Sequence, residues 1–147
     1  MTPLLVLGYG NTLRSDDGVG PKVAEAVDGL ELRGVRTLAC ALLTPELAEP
    51  IAQARSVVFV DAAVDAPLEV QLRQVSAAES SQVMAHAANP ATMLALARDV
   101  FGHAPQAWLM TIPIENLGIG DQLTALAQRG MAVALERIKE LAAQCGG

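Results

Sequence analysis

At 147 residues, with a net charge of −6 and only 10 basic residues, the chain is short, acidic and poor in phosphate-binding side chains. Nucleic acid and anionic membrane both need clustered Lys and Arg, so neither is an expected partner. Hydrophobic residues make up 52% but aromatic ones only 3%, which removes the stacking platforms of single-strand binding and leaves an aliphatic core.

A chain of this length buries roughly two thirds of its unfolded surface, so one domain over residues 1–147 is expected. The first element is a short apolar run at 3–8, ended by glycine, which reads as a buried strand. A helix follows from Asp17 to about Val27, with Ser15 or Asp16 able to cap it and Pro21 in its first turn. Residues 35–40 read as a second strand. Thr44-Pro45-Glu46 carries the signature of a helix start, and that helix is expected to run to about Gln53. Ser56-Val57-Val58-Phe59-Val60-Asp61 is apolar until its final acid, so it reads as a central strand covered on both faces. Residues 68–74 alternate apolar and polar, which suits an edge strand with one wet face. Asn89-Pro90 begins a helix that ends at Gly102. Residues 107–112 form a fifth strand, stopped by Pro113. A last helix starts near Thr124 and carries Ala127, Met131, Leu135, Ile138 and Leu141 on one face. This order predicts an α/β fold, a three-layer α/β/α sandwich with a five-stranded, mostly parallel sheet. The long irregular segments are 75–88 and 113–123.

Cys40 and Cys145 have neither disulfide nor zinc spacing. Cys40, with no histidine near it in sequence, reads as a buried structural thiol rather than a nucleophile. The N-terminal apolar run of about five residues is too short for a signal peptide, and no run reaches membrane-spanning length. The expected setting is the cytoplasm.

The chemistry concentrates in Leu7-Gly8-Tyr9-Gly10-Asn11-Thr12-Leu13-Arg14-Ser15-Asp16-Asp17-Gly18. A glycine-rich turn at the carboxyl end of a buried strand is where open α/β sheets keep their ligands. A pyrophosphate needs bare N–H groups at a positive helix end, and two acids there repel it. A metal cation is attracted to the same place. Asp17 after the first strand, Asp61 at the end of the central one and His86 before the third helix would all gather at one sheet edge. Two carboxylates and an imidazole suit a divalent transition metal and leave positions open for water or substrate. Each residue also has a plainer reading. Asp16 and Asp17 can cap a helix, or Asp16 can cap while Asp17 points outward. Asp61 can accept bonds from a neighbouring turn, and His86 can be an ordinary surface residue. His103, just beyond Gly102, is expected only to favour that helix's negative end. Tyr9, Phe59, Phe101 and Trp108 read as core or sheet residues.

The opening motif, followed by Val58-Phe59-Val60-Asp61-Ala62 and then His86, Pro90 and a leucine-rich helix, resembles the hydrogenase maturation proteases. These endopeptidases trim the C-terminal extension from the large subunit of nickel–iron hydrogenases. Thr111-Ile112-Pro113 and the stretch Gly120 to Thr124 fit as well. The resemblance implies that Asp17, Asp61 and His86 are the catalytic and metal-contacting residues. It also implies that the nickel is supplied by the substrate rather than held permanently, and that the partner is a hydrogenase large-subunit precursor. A monomer is expected, although the sequence itself carries no signal of oligomeric state. The chain departs from the family at Cys40-Ala41-Leu42-Leu43-Thr44, where a glycine–threonine turn is common. It also has Asp17 where a glutamate can stand. The group that activates water stays open among a metal-bound hydroxide, Asp16 and Asp61. Two other functions compete at this stage: a nickel-checking binding module that does not cleave, and a small nucleotide- or phosphate-binding domain.

Overall fold

The computed structural model describes residues 1–65, 67–80 and 88–146. Its strands are β1 (Thr2–Tyr9), β2 (Val35–Cys40), β3 (Ala54–Ala63), β4 (Gln71–Val75) and β5 (Gln106–Pro113). They form one sheet in the order β2-β1-β3-β5-β4. Pairing is parallel except between β5 and the edge strand β4, which is antiparallel. The helices are α1 (Val19–Gly29), α2 (Ala48–Ala52), α3 (Pro90–Phe101) and α4 (Ala125–Cys145).

The expected three layers are present. Leu4, Val6, Val58 and Val60 face α1 and α4 in one aliphatic cluster. Leu5, Leu7, Val57 and Phe59 face α2 and α3 in another. Strands β1 and β3 are buried on both faces because consecutive side chains feed opposite clusters. From β1 the chain passes through α1 to β2 on one side, then returns through α2 to β3 on the other. The crevice between β1 and β3 is therefore the point where strand order reverses, the usual ligand position in such sheets.

Two expected helices begin differently. Ser15–Gly18 form a 3-10 turn, α1 starts only at Val19, and neither Ser15 nor Asp16 caps it. Both side chains are drawn instead to the 113–124 segment. In the second helix Pro45–Leu47 are 3-10 and the α-helical part is Ala48–Ala52, with no cap bond from Thr44. Pro50 has no N–H to donate, so it fits only within the first turn of a new helix and shortens the expected one. Helix α3 starts as its sequence suggests. Asn89 Oδ1 accepts from Thr92 N–H and Thr92 Oγ1 accepts from Asn89 N–H, both at 3.0 Å. It ends at Gly102 in the left-handed conformation, φ 81°.

Glycine sets how tightly the first helix meets the sheet. A Cβ on Gly8 would lie 2.0 Å from the Gly20 carbonyl oxygen, and one on Gly20 would lie 2.6 Å from the Val60 oxygen. The α1 backbone thus rests directly on β1 and β3 beside the crevice. Gly10 has φ +148°, a conformation that L side chains rarely adopt, and a Cβ there would also meet the Asp17 carbonyl oxygen. The fold tests this packing directly. Gly8→Ala is expected to destabilise the protein by about 2 kcal/mol or more, since backbone on both sides must move. Gly29→Ala, in open space at the end of α1, is expected to be neutral or slightly stabilising. Paired urea unfolding curves measure both.

Candidate active site

The carboxyl edge of the sheet carries a row of side chains. Tyr9 pairs with Cys40 across β1 and β2, and Asp61 pairs with Thr111 across β3 and β5. Gly8 pairs with Val60, so Tyr9 and Asp61 are the next neighbours at the β1–β3 crevice. The Tyr9 ring stands on the α2–α3 side of the sheet, against the cluster containing Leu7 and Phe59. Its hydroxyl lies near enough to Asp61 for the carboxylate's charge to act on it.

Asp61 is half-buried. Burial pushes its carboxyl pKa up, the bonds from Tyr9 and the Ala62 backbone oppose that rise, and the charge of Asp17 adds to it. Burial also drives the Tyr9 phenol far above its ordinary value, helped by the Asp61 charge and moderated by Arg73 of β4. Asp17 is half-buried too, and its Oδ2 accepts from the Asn11 N–H at 2.8 Å. Asn11 in turn closes its own turn by accepting from Leu13 N–H at 2.9 Å. The structure therefore brings Asp17 and Asp61 close enough for their charges to act on each other. Among the described residues neither carboxylate is in an ion pair.

Asp16 does something else. It is fully buried. Oδ2 accepts from Glu115 N–H and Asn116 N–H, both at 3.1 Å, and from Thr124 Oγ1 at 2.7 Å. Oδ1 accepts from Thr124 N–H at 2.8 Å. Burial alone would raise this carboxyl's pKa; the bonds from Thr124, Glu115 and Asn116 outweigh it and hold the group below its ordinary value. Nearby, Ser15 (φ 50°) donates from Oγ to the Gly118 carbonyl at 2.7 Å. The Ser15-Asp16 pair is thus a clamp on the 115–124 segment and on the start of α4, where Thr124 itself caps the helix. Asp16 has no free oxygen facing solvent, which removes it as a general base.

His86, the third residue expected at this site, lies outside the described residues. Among the described residues no group of three or more His, Cys, Asp or Glu side chains could hold a metal ion. Cys40 is half-buried, with Sγ 3.9 Å from the Gly8 carbonyl oxygen, and burial raises its thiol pKa. It is less sequestered than its strand position suggested. His103 Nε2 lies 3.1 Å from the Ala54 carbonyl oxygen, so it braces the start of β3. Sequence reasoning read Tyr9 as a core or sheet residue, which its place at the end of β1 bears out, but did not set it beside Asp61. The signal it had was the register itself, because a residue that ends β1 must flank one that ends β3.

Chemically, two half-exposed carboxylates at a switch point form an anionic recess that favours a divalent cation. Two carboxylates are too few to cage a transition metal alone, so other ligands must complete its coordination.

No protein-family model and no curated protein matches this sequence. Solved structures do match. The hydrogenase maturating endopeptidase HybD from E. coli has 24% identity and a TM-score of 0.68, over 92% of this chain and 88% of its own. The NiFe hydrogenase maturation protease HycI from Thermococcus kodakarensis has 21% identity and a TM-score of 0.74, over 96% and 92%. An endopeptidase from Escherichia coli has 22% identity and a TM-score of 0.74, over 97% and 93%. The chain shares the fold of the hydrogenase maturation endopeptidases across nearly its whole length.

The Asp16 clamp predicts a pH signature. A carboxyl with a depressed folded-state pKa contributes stability that is complete above its unfolded pKa and is lost as pH falls through the folded one. Asp16→Asn puts an amide NH2 among donors and is expected to cost about 3 kcal/mol at pH 7. That deficit should shrink below about pH 4, as the wild-type carboxyl takes up its own proton. Unfolding curves of both proteins from pH 7 to pH 2 measure it.

Proposed function

We propose that this chain is a hydrogenase maturation protease: an endopeptidase that removes the C-terminal extension from the large-subunit precursor of a nickel–iron hydrogenase after nickel insertion. The observation that carries the reading is the pair Asp17 and Asp61 at the β1–β3 crevice. The sequence resemblance puts the working acids there, and the fold is that of proteins named for this activity.

Nickel is read here as cargo of the substrate. Asp17 and Asp61, with His86 as the third ligand, complete the coordination of an ion that the precursor already holds. The cation then aligns the scissile segment with the crevice. An incomplete ligand set suits this role, because a full cage would bind free metal without substrate and lose the check on loading. Between the two candidate acids, the general base is Asp61. Its carboxylate is partly exposed at the crevice, whereas every oxygen of Asp16 is engaged.

The surroundings support a protein substrate. The loops that follow β1, β2 and β5 expose Leu13 (70%), Leu42 (70%) and Ile119 (98%) at this same edge. Exposed aliphatic residues on neighbouring loops suit a partner surface. A depression of about 220 Å³, lined in part by Gly10, Thr12, Glu25, Cys40 and Ala41, adjoins the crevice. We assign docking to segments 41–45, 75–88 and 113–123. Among the described residues no helix is long and apolar enough to cross a membrane. The proposed form is a cytoplasmic monomer.

Asp17→Ala, Asp61→Ala and His86→Ala are each expected to abolish processing of nickel-loaded precursor, with the circular dichroism spectrum unchanged. Intact-mass spectrometry of the precursor reads the result. Wild-type shortening by any one variant removes that residue from the site. Failure of the wild-type protein to shorten the loaded precursor overturns the protease reading.

A further inference from the structure

The chain has only 10 basic residues against 16 acidic ones, and two of them meet at a place the proposed reaction does not use. Arg129 and Arg137 both line a groove of about 370 Å³ between α4 and the segment that leads into β4. Both are exposed, and among the described residues neither guanidinium is in a hydrogen bond or an ion pair. Glu136, the acid beside Arg137 on the helix, bonds to Lys139 instead. Between the two arginines the lining is apolar, with Val70, Pro113 and Leu126 around Val133. Val133 is 46% exposed, and Leu68 on the facing wall is 78% exposed. Gly130 lets α4 lie close on β5 here, since a Cβ on it would come within 2.6 Å of Ile112 Cγ2. Glu69 belongs to the facing wall.

Spacing decides what fits. Residues eight apart on a helix are separated by about 12 Å along its axis, too far for one small anion to reach both. An extended segment advances about 3.3 Å per residue and turns alternate side chains to one face. Two acids four residues apart therefore span about 13 Å on a single face, and the side chain midway between them meets Val133. The other face turns toward the wall that holds Glu69, where further acids are repelled. The groove also reaches the functional edge of the sheet. Pro113 pairs with Ala63 at the ends of β5 and β3, two residues beyond Asp61.

We propose that this groove docks an extended stretch of the protein substrate in which two acidic side chains four residues apart flank an aliphatic one. The acids pair with Arg129 and Arg137, and the aliphatic side chain covers Val133. Val70 of the groove belongs to the cluster that faces α1 and α4, whereas Tyr9 stands on the opposite side of the sheet. The groove therefore adds affinity and takes no part in cleavage. The inference rests on the proposed function only in taking the processed precursor as the partner. The groove and its two charges belong to the folded chain.

The experiment titrates two labelled peptides by fluorescence anisotropy. One carries glutamates four residues apart flanking a leucine, and the other has lysines in their place. Wild type is compared with Arg129→Ala, Arg137→Ala, the double variant R129A/R137A and Arg55→Ala, an exposed arginine at the far end of β3. Wild type is expected to bind the glutamate peptide and not the lysine one. Each single change in the groove is expected to weaken binding about threefold and the double change about tenfold, the scale of exposed charge pairs. Arg55→Ala is expected to change nothing. Added salt is expected to weaken wild type more than the double variant. With nickel-loaded precursor, the double variant is expected to raise KM by a similar factor and leave kcat unchanged. No binding by wild type, equal binding of the two peptides, or wild-type affinity in the double variant overturns the inference. So does an unchanged precursor KM in a double variant that has lost the peptide. A wild-type dimer that the double variant breaks, seen by sedimentation velocity, overturns it too by making a second copy the occupant. Failure of wild type to cleave the loaded precursor strikes the protease reading and with it the identity of the partner, while the peptide titration decides the groove itself.

Discussion

One buried carboxylate organises the functional end of this molecule. Asp16 is a charge with no exposed surface, an arrangement that is costly unless every oxygen is satisfied. Here it is satisfied by two consecutive backbone N–H groups at 115 and 116 and by both the N–H and the hydroxyl of Thr124. Those donors lie about a hundred residues away in sequence. The bond set therefore draws the loop after β1, the loop after β5 and the first turn of α4 into one unit. Gly120 N–H to Leu13 O at 2.9 Å and Ser15 N–H to Gly120 O at 2.8 Å close the same seam through the backbone. Asp17 follows Asp16 directly, so its place over the crevice is a consequence of that anchoring.

The crevice itself depends on how closely α1 approaches the sheet. Gly8 and Gly20 let helix and strand backbones meet with no side chain between them. Any larger residue would lift α1 and carry Asp17 away from Asp61. Division of labour between the adjacent acids follows. Asp16 is spent on structure and is held ionised by its donors. Asp17 and Asp61 remain partly exposed, and among the described residues neither has a counter-charge in an ion pair. On the proposed reading, the repulsion within this pair is what an ion delivered by the substrate would relieve.

Delivery by the substrate connects this electrostatic state to the proposed activity. A protease that supplied a complete metal cage would answer to free metal. One that supplies only part of the coordination answers to metal already seated in its partner. The exposed aliphatic residues on the surrounding loops, together with the acidic recess they frame, fit a large protein partner rather than a small molecule. The departure at Cys40-Ala41-Leu42-Leu43-Thr44 falls on one of these loops. It places a half-buried thiol and an exposed leucine beside the site, where the choice among precursors would be made.

Much of this was legible in the chain alone. Apolar runs ended by glycine or acid marked the strands, and the alternation at 68–74 marked the wet edge that became β4. Asn89, Pro90, Gly102 and Thr124 marked helix ends through local hydrogen bonding and φ preference, effects that act within a few residues. The glycine turn with two acids marked the carboxyl edge of β1 as the place to look for a site. What the chain could not show was which acid did what. Ser15 and Asp16 satisfy every local rule for capping α1, yet they bond to partners at 115–124, because tertiary folding offers a buried carboxylate more donors than the local helix end. Tyr9 reads as a core or sheet residue and ends β1; what the chain alone could not show is that strand register sets it beside Asp61. Periodicity, caps and turns are short-range and can be read along the sequence. The partners of a buried charge or a phenol are set by strand register and loop closure, and these exist only once distant segments have met.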